Sequence, residues 1–145
     1  MPFRFKQFSV EDSNCPMKVG TDSVLLGAWA RLENSPCILD IGTGCGLLAL
    51  MAAQRSDARI TAIDIDPVAT ESAAANFRIS PWAGRLTATC IRLQDFQNEP
   101  EAGNFDHIIT NPPYFINSLK APDPDRSNAR HNDLLPFEDL AFASA

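Results

Sequence analysis

The sequence predicts an α/β protein in which helices cover both faces of a parallel sheet. Three observations lead there. Apolar runs long enough for single buried strands recur along the chain, each is followed by a stretch of helical composition, and glycine, proline or an acid stands where one gives way to the next. Strands that alternate with helices build parallel sheets, because consecutive parallel strands need a crossover between them.

The elements follow in order. "FRFKQFSVED" alternates Phe3, Phe5, Phe8 and Val10 with polar residues, which predicts an N-terminal hairpin reaching "CPMKV". Gly20 breaks it, and Thr21 or Asp22 is expected to cap a helix through "SVLLGAWARL". "PCILDIG" reads as a buried strand and "GLLALMAAQR" as the helix after it. "ARITAIDID" is the second strand. Asp66 caps the next helix, with Pro67 in its first turn and "VATESAAANFR" as its body. "RLTATCIRL" is the third strand, followed by a helical turn or loop over residues 95–103, and "NFDHIIT" is the fourth. A long polar loop, "INSLKAPDPDRSNARHND", follows, and Pro136 can open a last helix, "FEDLAFASA".

The 145 residues suffice for one domain with its own core, and 45% hydrophobic with 21% charged residues is ordinary for a soluble globular protein. No apolar run approaches the roughly 20 residues of a membrane span. The N-terminal "MPFRFKQF" lacks the apolar centre of a signal peptide, so the expected location is the cytoplasm, with no membrane partner. Cys15, Cys37, Cys45 and Cys90 form no C-x-x-C pair, and His107 and His131 are not near them in sequence. Reduced, mostly buried thiols are expected, with no metal. A net charge of −6 argues against a broad nucleic-acid-binding surface and leaves room for a local basic patch.

Four motifs carry chemistry. "LDIGTGCG" stands where the first strand meets its helix. Gly42, Gly44 and Gly46 allow a tight turn and close approach of a ligand. A dinucleotide fingerprint would need glycine at position 47, where the chain has Leu47. The order is acid first, Asp40, which suits a ligand carrying positive charge and repels a pyrophosphate. Asp64, at the end of the second strand, can accept hydrogen bonds from both hydroxyls of a ribose. Asp95, after the third strand, can accept one from an adenine amino group. The fourth motif, "TNPPYF", brings a strand to an abrupt stop, because two prolines can continue neither strand nor helix.

Together the glycine loop, the two later acids and "NPPY" after the fourth strand resemble the class I methyltransferases that use S-adenosylmethionine. The resemblance implies a Rossmann-like sheet of seven strands. It implies that Gly42, Gly44 and Gly46 line the methionine side of the cofactor, with Asp40 near its amino group. Asp64 would hold the ribose and Asp95 would read the adenine. "FKQF…CPMKVGTDSVLLGAWA", "SPWAGRL" and "NPPYF" further resemble the bacterial valine-tRNA adenine-N6 methyltransferase family, over nearly the whole chain. That resemblance implies a partner, the anticodon loop of valine tRNA, and a target, the adenosine just 3′ of the anticodon. It also implies that the "KVGTD" segment lies over the cofactor, so that Lys18, Gly20 and Thr21 are candidate contacts.

In this light "TNPPYF" has a purpose. An adenine amino group is a poor nucleophile, because its lone pair is delocalised into the ring. Acceptors around its two N–H groups favour the pyramidal geometry that attack requires. The Asn111 side-chain oxygen and the Pro112 carbonyl are the candidate acceptors, Pro113 fixes the backbone between them, and Tyr114 stacks on the base. Neither a metal nor a covalent intermediate is needed. Three alternatives stay open: a protein-glutamine N5 methyltransferase, a ribosomal-RNA guanine-N2 methyltransferase, and a non-catalytic module that keeps the fold. "FED" stands where the glutamine-specific family resembles "YEP". The chain is expected to be a single domain over residues 1–145 that lacks its C-terminal strands. Its fourth strand would then be an open edge through which such a chain associates or aggregates, without methyl transfer of its own.

Overall fold

The structure is a computed structural model, and it describes residues 1–112. The expected loop over 116–133, the helix after Pro136, and Pro113 and Tyr114 lie outside the described residues. Two strands, β1 (Phe3–Arg4) and β2 (Ser9–Val10), form the N-terminal hairpin. It is antiparallel, with Phe3 opposite Val10. Helix α1 (Thr21–Trp29) follows, then β3 (Cys37–Ile41), α2 (Leu47–Arg55), β4 (Arg59–Asp64), α3 (Pro67–Arg78), β5 (Leu86–Cys90), the helical turn α4 (Leu93–Phe96) and β6 (His107–Thr110).

The sheet runs β5-β4-β3-β6, and every pairing is parallel. The first strand of the sheet is central, the next two lie to one side, and the fourth lies to the other. The order in which strands are added reverses between β3 and β6, and open α/β sheets bind ligands at the carboxyl ends of strands beside such a reversal. Thr110 ties the two ends together, donating its hydroxyl hydrogen to the Ile41 carbonyl at 2.8 Å.

Burial follows from the layering. Ile38, Leu39, Asp40 and Ile41 of β3 are all buried, as a central strand covered on both faces must be. One core lies between the sheet and the helices α1 to α3, and reaches the hairpin through Phe8 and Val10. The other lies on the opposite face, where Leu39, Ile41 and Ile63 meet Leu93 and Phe96. The hairpin is held by rings: Phe5 stacks on Phe8 with centroids 4.5 Å apart, and Phe8 meets Trp82 edge-on at 5.8 Å. The "SPW" sequence thus supports the hairpin, a link that its distance along the chain hides.

Several boundaries differ from the expectation. The hairpin strands have two residues each, and 11–20 is a loop rather than a continuation of the ladder. Gly20, not Thr21 or Asp22, is the N-cap of α1, and no side chain caps that helix; Thr21 is its first residue. The helix ends at Trp29, because Leu32 turns inward to become wholly buried. β5 is shorter than the apolar run suggested, with Thr87, Thr89 and Cys90 exposed, as befits the outer strand on that side. Asp66 caps α3 as expected, accepting the Val68 N–H at 2.8 Å, with Pro67 in the first turn. Among the described residues, no helix is long and apolar enough to cross a membrane.

Candidate functional site

The loop after β3 is built on backbone that only glycine adopts easily. Gly42, Gly44 and Gly46 have φ of 70°, 58° and 88°. The Gly42 and Thr43 N–H groups both donate to the Ile63 carbonyl, at 2.9 and 3.0 Å, and the Gly46 N–H closes a turn on the Thr43 carbonyl. The three glycines nevertheless serve different ends. A Cβ at Gly42 or Gly44 would meet nothing within 4 Å, whereas one at Gly46 would come within 2.6 Å of the Phe77 ring on α3. Gly46 is a packing glycine, which seats the N-terminus of α2 against α3. Gly42 and Gly44 line open space and keep it open.

Two acids stand beside this loop, at the ends of neighbouring strands. Asp64 is half-buried, and its Oδ2 accepts the Gly44 N–H at 2.9 Å while its Oδ1 accepts the Asp66 N–H at 3.0 Å. It therefore holds the glycine loop as well as presenting its remaining lone pairs. Burial pushes its pKa above the ordinary carboxylate range, against the pull of the Asp66 and Gly44 amides. Asp40 is wholly buried. Its Oδ2 accepts the Thr43 hydroxyl hydrogen at 2.7 Å, and its Oδ1 has no hydrogen-bond partner among the described residues. Burial first, and the charge of Asp64 second, raise its pKa from 3.8 to about 7, against the Thr43 hydroxyl and the Ala49 amide.

The loop is also fastened from behind. Asn76, buried in α3, donates from Nδ2 to the Cys45 carbonyl at 2.9 Å and to the Glu11 carbonyl at 3.0 Å. Its Oδ1 accepts the Glu11 N–H at 3.0 Å. One amide thus joins the N-terminal segment to the glycine loop, a role that nothing in the sequence pattern announced. Replacing it with alanine leaves three backbone groups without partners. At about 1–3 kcal/mol per buried group left unpaired, Asn76→Ala is expected to lower stability by about 2 kcal/mol, relieved in part by water. Urea denaturation checks this, and an unchanged midpoint would show that the three bonds contribute nothing net.

The remaining predicted residues are placed as follows. The exposed Lys18 turns its ammonium back onto its own loop, donating to the carbonyls of Asp12 at 2.6 Å and Ser13 at 2.7 Å. Gly20 and Thr21 are exposed at the start of α1. Asp95 is exposed within α4; that turn starts at Leu93, earlier than expected, because Leu93 and Phe96 are drawn into the core under β3 and β4. Asn111 is half-buried just beyond β6, and Pro112 is buried. The Asn111 Nδ2 donates to the Ser23 hydroxyl oxygen at 2.9 Å, which brings the first turn of α1 to the end of β6. Sequence reasoning missed Ser23, Thr43 and Asn76. Only Thr43, inside the glycine loop, carried a signal that could have found it. The thiols also differ in part from expectation: Cys15 and Cys45 are buried, Cys37 is half-buried, and Cys90 is exposed. Among the described residues no group of His, Cys, Asp and Glu could hold a metal.

The arrangement gathers the glycine turn, Asp64 and the Asn111 segment at the carboxyl ends of β3, β4 and β6. Comparison with known proteins agrees with it. The family profile described as "Methyltransferase small domain" matches residues 16–122. A Shewanella baltica protein named tRNA1(Val) (adenine(37)-N6)-methyltransferase is 53% identical over 144 residues, covering 99% of this chain and 60% of the relative. A Bacteroides fragilis protein of the same name is 51% identical over 138 residues, covering 95% of this chain and 58% of the relative. The chain thus spans somewhat less than two thirds of the curated relatives it matches. Among solved structures, a precorrin-6y C5,15-methyltransferase from Geobacter metallireducens is similar in fold, with a TM-score of 0.55, 16% identity, and coverage of 71% of this chain and 52% of that one. An O-methyltransferase from Bacillus cereus in complex with SAH has a TM-score of 0.51 and 22% identity, covering 66% and 46%. With a profile match over most of its length and this sheet order, the chain belongs to the methyltransferase small domain family.

Proposed function

We propose that the intact protein methylates the exocyclic amine of adenosine 37 in valine tRNA, with S-adenosylmethionine as donor. One observation carries the reading. Asn111 stands at the end of β6, and β6 pairs directly with the strand that opens into the glycine loop, through Ile41 opposite Thr110. An acceptor for an amine and an open glycine turn therefore share one crevice. The name borne by relatives at 51–53% identity supports the same substrate.

The residues present fit the cofactor. Gly42 and Gly44 leave room that any Cβ would narrow, and the buried Asp40 with its unpartnered oxygen suits a ligand bearing an ammonium group. Gly42, Gly44 and Asp40 would face the methionine portion, Asp64 the ribose and Asp95 the adenine, with Gly46 shaping the turn from behind. Lys18, Gly20 and Thr21 belong to the segment that would lie over it. When bound, S-adenosylmethionine supplies a methyl group on a positively charged sulfur. The chain supplies position and electrostatics. Asn111 Oδ1 accepts from one N–H of the target amine and the Pro112 carbonyl accepts from the other. Pro113 and Tyr114, outside the described residues, would restrict the backbone and stack on the base, which must leave its own stack to reach the site.

The test incubates intact protein and methyl-labelled cofactor with valine tRNA, with the same tRNA carrying guanosine at position 37, and with protein release factors. Label is expected in the first alone. Label in a release factor, or in the guanosine variant, would assign another substrate. Cofactor binding is tested separately. Asp64→Ala removes the ribose acceptor and also the partner of the Gly44 N–H. At about 1.5–3 kcal/mol for a hydrogen bond to a charged group, affinity is expected to fall at least about tenfold. Calorimetry showing wild-type affinity would sink the ribose assignment.

A further inference from the structure

We infer that Ser23 is a positioning residue for catalysis, holding the Asn111 amide so that its oxygen is turned to the amine being methylated; the inference rests on the reading of Asn111 given above. The two residues lie 88 positions apart and meet through one hydrogen bond of 2.9 Å, from Asn111 Nδ2 to Ser23 Oγ. A carboxamide is planar, with its oxygen and nitrogen on opposite sides of the Cβ–Cγ axis. Fixing the nitrogen against Ser23 therefore turns the oxygen away from α1. Among the described residues nothing donates to that oxygen.

The orientation matters because a carboxamide has two faces of opposite chemistry. Turned one way, Asn111 offers an acceptor to an amine that must donate. Turned the other way, it offers N–H to N–H, and the amine is repelled. A serine hydroxyl can donate as well as accept, so Ser23 anchors the amide rather than choosing its face; in the orientation that the structure records, Ser23 Oγ accepts from Nδ2 and the carboxamide oxygen is the atom left for the amine. Ser23 stands in the first turn of α1, and among the described residues its side chain makes no hydrogen bond other than the one from Asn111. The same contact brings the start of α1 to Asn111.

Three substitutions in the intact enzyme test this. Ser23→Ala, which keeps a good helix former in α1, is expected to lower kcat by about three- to tenfold, the worth of one neutral hydrogen bond. Cofactor affinity should stay unchanged. Ser23→Thr restores a hydroxyl and should recover most of kcat, whereas Ser23→Cys, of similar size but a weak acceptor, should behave like alanine. The deciding measurement is the double variant. Ser23→Ala made on an Asn111→Ala background should cost nothing further, since Ser23 acts only through Asn111. An unchanged kcat in Ser23→Ala, or the same loss on both backgrounds, would overturn the inference while leaving Asn111 in its role. A near-normal kcat for Asn111→Ala alone would instead remove the reading on which it rests.

Discussion

Asn111→Ala in the intact enzyme is expected to lower kcat by about a hundredfold to a thousandfold, the range seen when one preorganised group facing developing charge is removed. Affinity for S-adenosylmethionine should barely change, because Asn111 is proposed to act on the amine rather than on the cofactor. Single-turnover kinetics with saturating cofactor separates the two. The companion pair, Tyr114→Phe and Tyr114→Ala, divides ring from hydroxyl: a mild loss for phenylalanine with a severe one for alanine means stacking. Equal losses would mean that the hydroxyl is what matters. A kcat for Asn111→Ala within a few fold of wild type would leave the amine without its proposed acceptor.

The second large effect is on stability against pH, through Asp40. Its carboxyl is wholly buried, and its pKa is raised from 3.8 to about 7. The sign follows from proton counting. Between those two values the folded chain holds a proton on Asp40 that the unfolded chain has released. Raising the pH therefore favours unfolding across that window, and the whole penalty is present above about pH 7. At about 1.4 kcal/mol for each tenfold difference in proton affinity, the ligand-free protein should lose roughly 4 kcal/mol from this group. The raised pKa of Asp64 acts in the same direction. Asp40→Asn keeps the shape and the acceptor for Thr43 but cannot ionise. It should flatten the slope between pH 4 and 7 and be more stable than wild type at pH 8. Parallel slopes for the two proteins would show that Asp40 does not titrate in this window. A bound ammonium group near Asp40 reverses the penalty by stabilising the carboxylate. Cofactor binding near pH 6 should then release a proton, measurable by calorimetry in buffers of different ionisation heat.

The two effects divide the site. Asp40 is costly to the ligand-free fold above its pKa, which fits the proposal that it is kept for binding rather than for stability. Asp64 and Asn76 instead fasten the glycine loop from two sides, by accepting the Gly44 N–H and by donating to the Cys45 carbonyl. A loop held this way is preorganised: Gly42 and Gly44 can line a ligand without reordering when it arrives.

Much of this was legible in the sequence alone. The alternation of strands and helices required a parallel sheet, because hydrophobic period and turn chemistry are local properties. Asp66 and Pro67 announced the start of α3 for the same reason, and the cap is there. The glycine spacing announced a turn of unusual backbone, and all three glycines have positive φ. What spacing could not separate is the work each glycine does, since that depends on whether Phe77 or open space stands opposite. Nor could it show that Gly20 rather than Thr21 or Asp22 precedes α1, or that Cys90 is exposed. The first depends on how a loop enters a helix, the second on β5 being the outer strand on its side. The contacts of greatest consequence span long separations, Asn76 to Glu11 over 65 residues and Asn111 to Ser23 over 88. A polar residue in a helix reads the same in sequence whether it faces water or another segment. Only the tertiary fold decides which, because burial removes the water that would otherwise satisfy it and leaves a specific partner as the remaining choice.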